Sequence, residues 1–155
     1  MRRKDKEITD IKAIEAILNQ AYVGHLSLAQ NNLPYLVPMC FGYKKNTLYI
    51  HSAKEGQKLD IIKDNPNICF EVDMDAELVQ KKLACSFDMK YKSVIAFGKA
   101  DIIEDNKEKK KALNIIMKHY TGKTSFFYPD IMLNKIVIIK IKVDSLTGKK
   151  SGYNW

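Results

Sequence analysis

The stretch Leu48-Tyr49-Ile50-His51-Ser52-Ala53-Lys54-Glu55-Gly56-Gln57-Lys58-Leu59-Asp60-Ile61-Ile62-Lys63-Asp64-Asn65-Pro66-Asn67-Ile68-Cys69-Phe70-Glu71-Val72-Asp73-Met74 reads as strand, tight turn, short helix and second strand. Leu48 and Ile50 alternate with Tyr49 and His51, the period of two that a strand requires. Ser52, Ala53 and Gly56 are small and open a turn. A short helix over about Glu55 to Lys63 places Leu59 and Ile62 on one side. Asn65-Pro66 ends it, because proline cannot donate within a helix and restricts the residue before it. Ile68, Phe70, Val72 and Met74 then alternate as the next strand.

A strand followed by a small-residue turn and a helix is a common phosphate cradle. The helix N-terminus offers unpaired N–H groups and a partial positive charge. Ser52 adds a hydroxyl, Gly56 allows close backbone approach, and Lys54 and Lys58 add charge. Those lysines are four apart and share a helix face if both lie in the first turn. The plain alternative is an ordinary strand–helix connection with solvated lysines.

At 155 residues the chain fits one domain, 1–155, with a full core. No apolar run approaches the roughly 20 residues of a membrane helix. The charged start, Arg2-Arg3-Lys4-Asp5-Lys6-Glu7, lacks an apolar stretch behind it, so no secretory leader is expected. Three cysteines without a Cys-x-x-Cys pair suit reduced thiols in a cytoplasm. With the three histidines they show no zinc spacing, and no metal is expected. The net charge of +8 favours anionic ligands. No arginine-rich arm or aromatic RNA signature appears, so nucleic acid is not the expected partner. Lys109-Lys110-Lys111, beside Glu104, Asp105 and Glu108, reads as a solvated helix face.

Along the chain, Ile11, Ile14, Leu18 and Ala21 predict an amphipathic helix with Thr9 or Asp10 as its cap. Tyr22 to Ala29 and Leu33 to Tyr43 read as strands around the turn Gln30-Asn31-Asn32. Pro34 and Pro38 mark the second as an edge, or as opened for another purpose. With the strand at Leu48 these make an antiparallel meander. Glu77 to Ala84 has helical composition, and Cys85 to Asp88 looks like loop. Ser93 to Glu104 is a strand whose Gly98 implies a bulge or a close backbone. Asn106 to Tyr120 is a second helix, with Leu113, Ile116, Met117 and Tyr120 in phase and Gly122 as its C-cap. Val137 to Val143 is the last strand, and Thr147 to Trp155 a tail. About six strands and two main helices predict a mainly β fold, an antiparallel barrel with flanking helices.

Five blocks carry a family resemblance. They are Pro34 to Tyr43, Leu48 to Lys58, Asn65 to Asp73, Tyr91 to Ala100, and Leu146 to Ser151. In this order they resemble the nitroimidazole-resistance (Nim) proteins of the pyridoxamine 5′-phosphate oxidase-like superfamily. The resemblance covers about Arg2 to Ser151. It implies an FMN-binding split β-barrel, dimeric, with the cofactor FMN at the interface of a homodimer. It implies a flavin ring against backbone near Val37, Pro38 and Met39. Phosphate and ribityl would meet Ser52, Ala53, Gly56 and Lys58, and Tyr91, Ser93 and Val94 would lie near the phosphate or the subunit contact. His51 matches a histidine beside the flavin in Nim-like proteins and is the catalytic candidate; its plain alternative is a hydrogen-bonded strand histidine. Trp155 is a candidate for stacking near the ring.

The resemblance implies an FMN-dependent oxidoreductase acting on nitroaromatic or similar electron-poor small molecules. The alternative is a non-catalytic flavin- or haem-binding module on the same barrel. True pyridoxamine phosphate oxidases end in an arginine-bearing segment that grips the substrate phosphate. Here the chain ends Ser151-Gly152-Tyr153-Asn154-Trp155, and Arg2 and Arg3 are its only arginines. Oxidation of pyridoxamine phosphate is therefore not expected. The aromatic set Tyr35, Phe41, Tyr43, Phe87, Tyr91 and Phe97 is expected to lend rings to a partner surface.

Overall fold

A single antiparallel sheet of eight strands organises the described residues, 3–153, of the computed structural model. The elements run β1 (Glu7–Ile8), α1 (Ile11–Gln20), β2 (Gly24–Gln30), β3 (Leu33–Met39), β4 (Gly42–Lys44), β5 (Thr47–Ala53), α2 (Gln57–Asp64), β6 (Asn67–Val79), β7 (Asp88–Ile103), α3 (Asn106–Thr121), α4 (Asp130–Leu133) and β8 (Ile136–Ser151). The sheet order is β3-β2-β6-β7-β8-β5-β4, with β1 added to β8. Its two ends, β3 and β4, are joined by Cys40 and Phe41 alone. Three residue steps reach at most about 11 Å, so the sheet curls until its ends nearly meet. It does not close, and the result is a split barrel.

The alternation read from the sequence is what fills this barrel. Leu26 and Leu28 of β2, Leu48 and Ile50 of β5, Phe70 and Val72 of β6, and Ile139 and Ile141 of β8 all point inward and are buried. The Asp10 side chain caps α1, accepting from the Lys12 N–H at 3.0 Å. The carboxylate of Asp105 caps α3, and Gly122 ends it with φ of 72°. No helix among the described residues is long and apolar enough to cross a membrane.

Several expectations are corrected. The stretch Leu33 to Tyr43 is two strands, and the meander is broken: β3 pairs only with β2, while β4 pairs with β5. The link is pinned in its turn. The Phe41 N–H donates to Tyr120 Oη at 3.0 Å, and Tyr120 Oη–H donates to the Tyr22 carbonyl at 2.9 Å. Glu77 is strand, not helix, because β6 resumes after an irregularity between Met74 and Glu77. Lys92–Asp75 and Lys90–Glu77 ion pairs, at 2.7 and 3.0 Å, hold that extension to β7. Thr147 to Ser151 is the end of β8, paired with β7 and β1. Gly98 does sit at a bulge, and a Cβ there would collide with the Lys142 carbonyl oxygen.

Lys109 is not solvated. It is 1% exposed, its stem lying on the stripe with Ala112 and Ile116, and its Nζ donates to the Leu133 carbonyl at 2.9 Å. Burial lowers its affinity for the proton. Phe41 and Tyr43 are likewise core residues, and no partner can be covered by them. Phe87 and Phe97 remain exposed.

Candidate functional site

The split lies between β3 and β5. β4 pairs with β5 only as far as Gly42 opposite Tyr49. Continued in that register, Met39 would face Ser52 and Pro38 would face Ala53. Instead the chain turns at Cys40 and Phe41, and Met39 pairs with Gly24 of β2. β5 therefore has β8 along Thr47 to Ala53 on one side, and no ladder partner for Ile50 to Ala53 on the other. Its counterpart β3 is the open edge of the sheet.

Proline shapes that edge. Pro34 and Pro38 lie within the ladder to β2, opposite Ala29 and His25. Proline is tolerated in a paired strand only where its nitrogen faces out of the ladder. Both are even-numbered positions, so the open side carries the carbonyls of Pro34, Leu36 and Pro38 but only the Leu36 N–H. The edge accepts far more than it donates. It cannot pair fully with another strand, and it suits a ligand that brings its own N–H or O–H groups.

At the end of β5 the side chains divide by face. Ser52 points inward with Leu48 and Ile50 and is 4% exposed; its Oγ is buried and has no hydrogen-bond partner. A buried hydroxyl without a partner is uncommon and costs free energy. His51 and Ala53 point outward and are exposed. Val37 and Met39 pack against the core, while Pro38 is exposed.

Beyond Ala53 the chain reaches α2. Its cap is Gly56, with φ of 132°, a conformation L side chains rarely adopt. No side chain caps this helix, and the space where a Gly56 Cβ would stand is open. The first N–H groups of α2 are thus left to solvent or to an anion. Lys58 in the first turn is half-buried and, among the described residues, meets no acid. Lys54 precedes the helix, so the condition for the two lysines to share a helical face, both in the first turn, is not met. Lys54 instead lies near Lys109, where the two charges repel.

Val37, Pro38 and Met39 thus line one side of the gap, with His51, Ser52, Ala53, Gly56 and Lys58 on the other. Tyr91, Ser93 and Val94 are not among them. His51 lies opposite Ile138 of β8, but Ser93 lies opposite Lys149 of the same strand. Eleven positions along β8 separate the two, so within one chain the register does not bring these residues to the gap. Val94 is buried in the core, whereas Tyr91 and Ser93 face out. Trp155 lies outside the described residues.

Elsewhere, His25 Nδ1 meets Glu71 Oε2 at 3.2 Å, with Asp73 beside them. Burial and the Asp73 charge push the Glu71 carboxyl up, partly offset by His25. Cys40, Cys69 and Cys85 are free thiols. Sequence reading placed Tyr120 only on the apolar stripe of its helix and missed its hydroxyl; burial pushes that phenol up to about 12 and keeps it a neutral hydrogen-bonding post for the link.

The pyridoxamine 5′-phosphate oxidase family profile matches residues 10–150. No curated protein matches the chain. A candidate 5-nitroimidazole antibiotic resistance protein from Bacteroides thetaiotaomicron VPI-5482 is 39% identical over 93% of this chain and 86% of its own, with a TM-score of 0.83. The FAD and heme binding protein from Mycobacterium smegmatis shares the fold at 18% identity, covering 96% and 74%, with a TM-score of 0.85. An FAD-binding protein from Mesorhizobium loti does so at 22% identity, covering 92% and 96%, with a TM-score of 0.67. The chain belongs to the pyridoxamine 5′-phosphate oxidase family and is Nim-like within it.

Proposed function

We propose that this family member binds FMN along the split between β3 and β5. There it would act as an oxidoreductase on nitroaromatic or similar electron-poor small molecules in the cytoplasm. The observation that carries the reading is the gap itself. Two strand edges without ladder partners lead to an uncapped helix N-terminus and a lysine that meets no acid. A flat ring with N–H groups suits the acceptor-rich edge of β3. A phosphate dianion suits the first turn of α2 with Lys58. The buried Ser52 hydroxyl would gain a partner from the same ligand. The residues therefore fit the group.

When bound, the flavin supplies the electron chemistry. The chain's own residues hold and orient it. Lys58 and the N–H groups of α2 hold the phosphate, and Pro38 keeps the β3 edge from pairing. His51, exposed beside the gap, is the group available to hold or pass a proton to a substrate. The relatives add chemistry of the same kind: one is tied to 5-nitroimidazole resistance and two to FAD.

Two copies of the chain complete each site in this reading. The gap is open along one side, and Tyr91 and Ser93 face outward far from it. Leu36, Ile95 and Phe97 are exposed on the outer sheet face and would be covered by the partner. The test is titration of apoprotein with FMN, FAD and riboflavin, followed by absorbance. FMN should bind tightly and riboflavin weakly; a chain that takes up no flavin would sink the reading. A non-catalytic flavin- or haem-binding module is the second reading, favoured by the relatives whose names give only FAD, or FAD and heme, binding. Anaerobic reduction by NADH or NADPH, then reoxidation by a nitroaromatic, separates the two.

A further inference from the structure

We propose that the cleft between α3 and the β4–β5 hairpin is a second binding site, for a small phosphorylated molecule that also carries hydroxyl or N–H donors. The cleft has a volume of about 910 Å³. That lies at the upper end of the roughly 300–1,000 Å³ usual for small-molecule sites. It shares no lining residue with the β3–β5 gap, and it stands whether or not flavin binds there.

Charge is the first reason. Lys44, Lys45, Lys111 and Lys118 line the cleft, and Glu108 is its one acid among the described residues. Glu108 is already engaged by Lys111 at 2.7 Å. Lys44, Lys45 and Lys118 have no acidic partner among the described residues. They line the cleft from two sides, the hairpin and the helix, and their fields add within it.

The hairpin turn is the second. Lys45 and Asn46 have φ of 49° and 57°. A two-residue turn with both centres left-handed prefers asparagine and glycine. The matching turn of the β2–β3 hairpin obeys, with Asn31 and Asn32 at 51° and 63°. Lys45 breaks the rule and accepts a strained backbone to stand at the rim of the cleft. Strain of this kind gathers at ligand sites.

The third is the neutral polar lining between the lysines. Asn19, Thr47, Asn114 and Thr124 line the same cleft. Their amide and hydroxyl oxygens accept hydrogen bonds, and a bare inorganic anion offers none. A sugar phosphate offers both the anion for Lys45 and Lys118 and hydroxyls for these side chains. His119, also in the lining, is already committed: its Nε2 donates to the Ala21 carbonyl at 2.7 Å, and its Nδ1 is buried out of reach.

The experiment is calorimetric titration of the full chain, with and without FMN, using inorganic pyrophosphate and ribose 5-phosphate as probes. One site per chain is expected, with ribose 5-phosphate shifting the Asn19 and Asn114 side-chain amide resonances more than pyrophosphate does. The exposed pair Lys45→Gln with Lys118→Gln should weaken both probes by about 100-fold, roughly tenfold per lysine. Flavin binding, read separately by absorbance, should not change. Four results would overturn the proposal: no saturable binding, binding indifferent to the pair, binding lost in Lys58→Gln instead, or tighter binding of duplex DNA through the same two lysines.

Discussion

Strands β6, β7 and β8 run 13, 16 and 16 residues and pair with one another along most of their length. Strands β3 and β5 are seven residues each and turn unpaired edges toward one gap. Both regions alternate inward and outward side chains, and both contribute to one core. The difference is in the backbone. In the long wall each strand finds a neighbour on both sides. At the gap, Pro34 and Pro38 remove donors, and the turn at Cys40 and Phe41 carries the chain away before β4 can extend along β5. The wall stores stability; the gap leaves backbone hydrogen-bonding capacity unused.

The comparison breaks first at the wall. Phe70 is fully buried and packs edge-on against Phe41 at 5.0 Å. Phe70→Ala should cost about 3–5 kcal/mol, or roughly 6–20 °C in Tm for a domain of this size. A thermal melt that barely moved would show that the wall is not the stabilising region.

At the gap the order of effects should reverse. Lys58→Ala should weaken FMN about 10- to 100-fold, through loss of a charge-assisted contact of roughly 1.5–3 kcal/mol. Its effect on stability should stay within about 0.5 kcal/mol, and riboflavin should bind both forms alike. Unchanged FMN affinity would move the phosphate elsewhere, with Lys54 next. Ser52→Ala sharpens the point. Because Ser52 Oγ has no partner, its removal should leave the apoprotein as stable or slightly more so, while FMN binding falls several-fold. Clear destabilisation of the apoprotein would mean that the hydroxyl has a structural partner.

The smallest expected effect is a pH dependence at the link. Burial holds His119 below its ordinary pKa of 6.5. The unfolded chain therefore binds a proton that the folded chain resists, and stability should fall as pH drops from about 7 through that value. Denaturant melts of His119→Gln against the unaltered chain should show a shallower fall in the variant. Identical slopes would place the titration elsewhere.

The wall was legible because period-two alternation is strong in Ile68 to Val72, Val94 to Ala100 and Val137 to Val143. Two helix bounds followed from Asp10 and Gly122, each a cap with its own chemistry; the Asp105 cap of α3 was not read from the sequence. Pro34 and Pro38 announced an open edge. The sequence could not announce which edge, because β3 and β4 are contiguous in the chain yet at opposite ends of the sheet. Glu77 misled because helical composition is a weak preference beside pairing with β7. Lys109 misled because its charge hides a long apolar stem. The candidate site was half legible: Ser52, Gly56 and Lys58 lie together by chain order. Tyr91 and Ser93 were placed near the phosphate or the subunit contact only by resemblance, and strand register sets them 11 to 13 positions along β8 from the gap.

Native mass spectrometry of the purified protein tests the central claim most directly, because it reads copies and cofactor together. The account predicts a dimer carrying two FMN molecules, with flavin lost and the dimer weakened in Lys58→Ala, since a ligand that binds only the assembled state stabilises it. A flavin-free chain would contradict the assigned site, and a monomer holding one FMN would contradict its being shared.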